Sequence, residues 1–364
     1  MANSKRTNTA KWQASRSRWR ISVQKDGIRK SFYSVTPGRA GQREVNAKAD
    51  RWLAGTKDEF ERLTTAEAWD CYIEDKKNYL SRATWAVELS HYKNWISKLN
   101  KKKVAELVPY DFQKILTAAY KKGLSKKTLQ NIRATCTQFL KYCRLQHWTD
   151  LRIDDITIPH AARGVQKHIL QPEHLRTLFT SSDIVMRGEV VPDPFIQAYR
   201  FQVLTGLRPG ELMALRWKDI NDLTVHVSGS IDRYGERTPG KNENAIRDFY
   251  LNDLTRQILT EQKEKKLHTQ YVFDIHSMQT YRKHFERYCE YNGIPHTTPY
   301  ELRHTFVSFA KNLSEGQLKQ IVGHSKSMDT YGIYSHTVDG DLKSAADQLN
   351  SVFKSFLFPE DEAK

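Results

Sequence analysis

The sequence predicts a multidomain, mainly α protein. A small N-terminal β-ribbon plus helix (1–60) precedes a helical domain (61–160) and a mixed α+β domain (165–364). Three observations predict it. Apolar residues alternate over a short basic stretch near the N-terminus, then recur at helical spacing from Leu63 to about Leu151. Beyond a break, helical segments bracket two short alternating runs. A length of 364 residues suits two or three domains, and 39% hydrophobic residues suffice to build cores.

Residues 12–35 read as strand, turn, strand. Trp19, Ile21 and Val23 alternate with Arg18, Arg20 and Ser22, giving one apolar and one basic face. Asp26 and Gly27 supply the turn. Val45, Ala49, Trp52 and Leu53 recur at helical spacing, with Gly55 as the expected stop. Farther on, Trp69, Ile73, Lys77 and Leu80 share a face, as do Leu89, Tyr92, Trp95, Ile96 and Leu99. Residues 124–145 form a helix capped by Ser125, with Leu129, Ile132, Cys136, Phe139, Leu140 and Cys143 inward. A linker is expected at 152–167, where helical periodicity stops and Pro159 and Gly164 intervene. Pro172 opens a new helix, 194–204 is an apolar helix, 224–231 alternate as one strand, and 247–251 form the next. Helices resume at about 252. The stretch 339–358 carries an apolar stripe (Leu342, Ala345, Ala346, Leu349, Phe353, Phe356) that must bury somewhere.

Net charge is +16, and its distribution says more than its size. Residues 1–60 carry +9, residues 61–165 carry +8, and residues 166–364 carry −1. A basic excess confined to the first 165 residues implies a polyanionic partner, above all nucleic acid. Basic pairs and triplets at helix ends (Lys76-Lys77, Lys101 to Lys103, Lys121-Lys122, Lys126-Lys127) suit a module that straddles phosphates. No apolar run approaches the ~18 residues of a membrane span, and the N-terminus lacks the apolar core of a secretory signal. Cys71, Cys136, Cys143 and Cys289 form no CxxC pair and read as reduced core thiols, which sets the expected location as cytoplasmic. With no GxxxxGK[ST] loop, HExxH pair or Cys/His cluster, no metal or other cofactor is expected.

Three stretches of the last domain belong together: LTGLRPGELMALRWKDI (204–220), TTPYELRHTFVS (297–308) and IVGHSKSMDTYGIYSH (321–336). Alone, Arg208 reads as a surface arginine at a helix start and Tyr334 as a packed aromatic. In this order and spacing the three resemble the tyrosine site-specific recombinases, the phage integrase family, over about 165–340. The resemblance implies a catalytic domain of that type, a helical core-binding domain before it and an arm-type DNA-binding domain at the N-terminus.

It also implies a division of labour. Phosphoryl transfer concentrates negative charge on non-bridging oxygens, and guanidiniums meet those oxygens with two parallel donors while staying charged. Arg208 and Arg303 match those positions. Gly206 and Gly210 flank Arg208 and are expected to leave backbone room for a phosphate, with Glu211 bracing an arginine or a backbone amide. Tyr334, ten residues past His324, matches the nucleophile, and Tyr331 is its rival one turn earlier. Lys241 matches the acid that protonates the leaving 5′ oxygen. His324 matches a donor to the phosphate, and His304 is expected to be structural.

One position departs from the pattern. The family usually carries His three residues before the second arginine, and here Tyr300 stands there. Imidazole accepts a proton near neutral pH, whereas a phenol titrates near roughly 10. The group that accepts the proton of Tyr334 is therefore open, and so is a catalytically weakened DNA-binding or architectural protein on the same fold. The implied partners are double-stranded DNA at attachment sites and the chain itself, as a tetramer on two duplexes. An excision-directing protein is the one further partner the resemblance raises. Relatives often dock the C-terminal helix on a neighbouring protomer; docking in cis satisfies the sequence equally well.

Overall fold

A computed structural model of the chain describes residues 6–25, 27–54, 62–164, 167–240, 245–265, 269–323 and 341–359. It divides into two compact units, Met1–Val165 and Gln166–Lys364. Among the described residues, the first unit holds two separate apolar cores and the second holds one.

Near the N-terminus, β1 (Lys11–Gln13), β2 (Arg18–Lys25) and β3 (Ile28–Ser34) form an antiparallel sheet in that order. The expected two-stranded ribbon therefore gains a third strand, too short to show an alternation of its own. Helix α1 (Gly38–Ala54) lays Val45, Ala49 and Leu53 on Ile21 and Val23. That leaves the other face of the sheet to Lys11, Arg18, Arg20 and Tyr33, with the Arg18 guanidinium 4.0 Å from the centre of the Tyr33 ring. The expected turn residue Asp26 and stop residue Gly55 lie outside the described residues.

The helical part of this unit comprises α2 (Thr65–Lys77), α3 (Arg82–Asn94), α4 (Pro109–Lys121) and α5 (Lys126–Leu145). Thr64 and Glu67 cap α2 reciprocally, Pro109 opens α4, and Ser125 caps α5. All six expected inward residues of α5 are buried, packing with Trp69, Tyr72 and Ile73 of α2. The α2 face ends at Ile73, because Lys77 sits in solvent at the helix terminus. Cys71 is exposed, so three cysteines are core thiols rather than four. The stretch expected as a linker is instead strapped to the helices up to Gly164. Ile153, Ile156 and Ala162 are buried, Gln113 exchanges two hydrogen bonds with the Thr157 backbone, and Lys126 N donates to Arg163 O. Apolar side chains between the breaks explain this; Pro159 and Gly164 end the periodicity without ending the packing.

In the second unit, α6 (Pro172–Thr180) leads into a hairpin of β4 (Asp183–Met186) and β5 (Glu189–Pro192) that the sequence did not announce. Its turn uses Arg187 and Gly188, both at positive φ, without the usual Asn or Asp. Helix α7 (Ile196–Thr205) is buried at every position but Arg200, and runs into the short α8 (Pro209–Ala214). The expected single strand at 224–231 is two. β6 (Thr224–Val227) pairs with β9 (Arg247–Tyr250), and β7 (Ser230–Ile231) pairs with β8 (Arg237–Thr238). Gly229 marks the break: a Cβ there would stand 2.8 Å from Thr238 O, so only glycine lets the backbones pass.

Helices α9 (Asp253–Glu264), α10 (Met278–Tyr291), α11 (Pro299–Phe309), α12 (Glu315–Val322) and α13 (Asp341–Leu357) complete the unit. The apolar stripe of α13 docks in cis: Ala345, Leu349, Phe353 and Leu357 join the unit's own core, and Phe353 stacks on Phe306 and Phe309. Lys354 and Asn350 both reach Asp253, and hold its carboxyl down to about 2 together with Arg256. Among the described residues, no helix is long and apolar enough to cross a membrane.

Candidate active site

The stretch TGLRPGEL is the hinge between α7 and α8. Gly206 ends α7 in the left-handed conformation (φ 65°), and a Cβ there would stand 2.3 Å from the Phe306 ring. A Cβ on Gly210 would stand 2.4 Å from Ser230 Oγ. Both glycines thus serve packing within the chain, against α11 and β7. This corrects the expectation that they leave space for a phosphate. Arg208 is the N-cap residue of α8, and its side chain is directed by what surrounds it.

Three arginines converge on the C-terminal end of α12. The last carbonyls of a helix lack partners within it and carry the negative end of its dipole. Arg247 Nε donates to Ile321 O (2.6 Å), Arg303 Nη2 donates to Val322 O (2.6 Å), and Arg208 donates to Val322 O (3.4 Å) and Gly323 O (3.2 Å). Gly323 closes α12 at φ 66°, a conformation that fits glycine. Arg303 also donates to Gly206 O (2.7 Å), which ties α11 to the hinge.

Glu211 holds the cluster together. It accepts from the Arg208 amide (3.0 Å), from Arg208 Nη1 (2.7 Å), and from Nη1 and Nη2 of Arg247 (3.2 and 3.0 Å). It thus braces a backbone amide and two arginines at once. Burial works against its charge, yet Arg247 and then Arg208 outweigh it and keep the carboxyl below the usual carboxylate range. Arg303 is only 2% exposed. Burial, and then the Arg208 and Arg247 charges, bring its guanidinium down to about 10, so it remains charged at neutral pH. Arg208, with its side chain 20% exposed, is the most open of the three. Three guanidiniums held at one helix end concentrate positive charge there.

Tyr300 lies on α11 one turn before His304, 46% exposed, with the two rings edge to face at 5.4 Å. Lys167 Nζ donates to His304 Nε2 (2.9 Å), and burial followed by that ammonium lowers the His304 imidazole below its usual range. Lys241, His324, Tyr331 and Tyr334 lie outside the described residues. Of the six expected site residues, Arg208 and Arg303 are therefore brought together, with Tyr300 on the helix that carries Arg303. Sequence reasoning passed over Arg247 as a member; a basic residue opening an otherwise alternating strand was its only signal. The backbone acceptors of α12 leave no side-chain signature at all. Among the described residues, no group of three or more His, Cys, Asp or Glu could hold a metal.

Residues 174–340 match the phage integrase family. An XerC-like tyrosine recombinase of Caldanaerobacter subterraneus subsp. tengcongensis is 23% identical over 379 residues, spanning 90% of this chain and 92% of its own. The ICEBs1 integrase of Bacillus subtilis is 24% identical over 318 residues, spanning 80% and 83%. Among solved structures, the Tn1549 transposon integrase in complex with a circular intermediate DNA aligns with a TM-score of 0.61 at 19% identity, over 79% of this chain and 99% of its own. A lambda integrase tetramer bound to a Holliday junction aligns at 0.58 and 17% identity, over 91% and 98%. The fold is theirs, and the arginine cluster sits within the matched domain. Residues 174–340 thus carry a phage integrase domain, and the likeness to named recombinases over most of the chain supports a tyrosine recombinase, an enzyme that breaks and rejoins DNA.

Proposed function

We propose that this chain integrates and excises a mobile genetic element through a 3′-phosphotyrosyl intermediate on Tyr334. The phenolic oxygen attacks phosphorus and the bond to the 5′ oxygen breaks. Lys241 gives that oxygen its proton. A 5′ hydroxyl of the partner duplex then reverses the step, so the phosphodiester is conserved without ATP or metal. Arg208 and Arg303 meet the charge that grows on the non-bridging oxygens. His324 donates to one of those oxygens. With Tyr300 where relatives carry His, the proton of Tyr334 passes to water or to the phosphate itself.

One observation carries this reading. Arg208 and Arg303, from distant segments, both donate to Val322 O at the end of α12, and His324 and Tyr334 follow in the sequence. The mobile-element role draws on the sheet at 11–34, whose basic, aromatic face suits DNA, and on the likeness to the ICEBs1 and Tn1549 integrases. The partner is double-stranded DNA at attachment sites, inside the cytoplasm. Four protomers act on two duplexes, as the lambda integrase tetramer on its junction suggests. An excision-directing protein would set the direction. The chain is divided into an arm-type module (1–60), a core-binding module (61–160) and a catalytic domain (165–364).

A nicked suicide duplex bearing the attachment site tests this. Wild type is expected to give a covalent protein–DNA band on a denaturing gel, and Tyr334→Phe none. A native shift without such a band would leave a DNA-binding protein that has lost cleavage. Loss in Tyr331→Phe but not in Tyr334→Phe would move the nucleophile one turn back.

A further inference from the structure

We infer that Arg247 is a positioning residue for strand transfer, a role that rests on the phosphotyrosyl reading above. It opens β9, six residues after Lys241 in the sequence, and is 8% exposed. Each of its side-chain nitrogens is engaged within the chain. Nη1 and Nη2 reach the two oxygens of Glu211 (3.2 and 3.0 Å), Nη1 also reaches Ala245 O (3.0 Å), and Nε reaches Ile321 O (2.6 Å). This guanidinium is therefore committed to the protein: a buried carboxylate balances its charge, whereas the bonds of Arg303 go to carbonyls.

What it does instead follows from its partners. Glu211 Oε1 is shared between Arg247 and Arg208, so the rotation of the carboxylate, and with it the Arg208 fork, is fixed from the β9 side. The bond to Ile321 O clamps the same helix end whose next carbonyls receive Arg303 and Arg208. One side chain thus registers β9, α8 and the end of α12 against each other. Stability alone is a weak reason for such a group, since a packed apolar residue often replaces a buried ion pair without loss. Holding reacting groups to a fraction of an ångström is a stronger one.

The charged groups that face Glu211 are Arg208 from its own helix, Arg247 from β9, and Arg303 from α11 through its field. Removing Arg247 leaves burial less opposed, so the carboxyl rises and protonates at higher pH. The phosphotyrosyl step is followed by single-turnover cleavage of the suicide duplex, with site affinity measured separately. Arg247→Gln should slow cleavage about 100-fold while affinity stays within about twofold of wild type. Its low-pH limb should move to higher pH.

Arg247→Lys keeps the charge, but one ammonium cannot reach both Glu211 and Ile321 O. It should slow cleavage about tenfold, and it carries the test if the Gln variant folds poorly. Adding Glu211→Gln to Arg247→Gln should cost no more than the worse single change; multiplied losses would overturn the route through Glu211. Full-speed cleavage with a wild-type pH limb in Arg247→Lys overturns the inference alone. A wild-type protein that forms no covalent band removes the phosphotyrosyl reading and this inference with it.

Discussion

At the scale of single residues, Glu211 decides how the arginines stand. Its carboxyl is held below the ordinary carboxylate range in the folded chain, so it binds its proton less readily folded than unfolded. The stability it contributes is present above the unfolded value of 4.5 and is lost as pH falls through the lower folded value. Glu211→Gln should therefore lower stability at pH 7 by about 3 kcal/mol, the cost of breaking a buried pair. It should also flatten the acid dependence of urea unfolding. Equal acid slopes in the two proteins would show that Glu211 is not the group being titrated. The residues of this cluster were unevenly legible. Arg208 and Arg303 were recognisable because their motifs are local and ordered. Arg247 was not, because its partners come from α8 and from a helix end far along the chain. The glycines beside Arg208 were visible, but the reason for them was not: Phe306 and Ser230, which fill the space, belong to other motifs.

At the scale of elements, α13 shows what its apolar stripe achieves. Phe353 is fully buried and stacks on Phe306, the same residue whose ring leaves no room for a Cβ on Gly206. The terminal helix thus bears on the hinge that carries Arg208. Phe353→Ala should destabilise the chain by about 3–5 kcal/mol in urea unfolding. A loss below about 1 kcal/mol would mean that α13 is not docked on its own unit in solution. Helices with a strong 3.6-residue pattern, such as α5, were legible down to the inward residues that the pattern named. The β4–β5 hairpin was not, because its turn lacks the usual signals, and the strand at 224–231 split where Gly229 lets two backbones approach. The stretch 152–167 was read as a linker because Pro and Gly interrupt its pattern, although Ile153 and Ile156 anchor it.

At the scale of the whole molecule, charge is partitioned along the chain. The first 165 residues hold the basic excess, whereas the second unit is near neutral and gathers its guanidiniums at one helix end. Binding and chemistry should separate accordingly. Arg18→Ala with Arg20→Ala should weaken binding to a full attachment site. The slope of log K against log salt should fall by about 0.9 for each phosphate no longer neutralised. An unchanged slope in a salt titration would show that this face of the sheet does not touch the backbone of DNA. The partition was legible from composition alone, since charge is additive along a chain; the gathering was not, since it depends on folding. That gathering has a consequence for inheritance. Arg303 keeps its charge where burial and like neighbours oppose it, so folding gives up some stability to hold that charge. A lineage released from exchanging strands would grow more heat-tolerant by shedding such charges, and the loss of activity in its descendants should begin here.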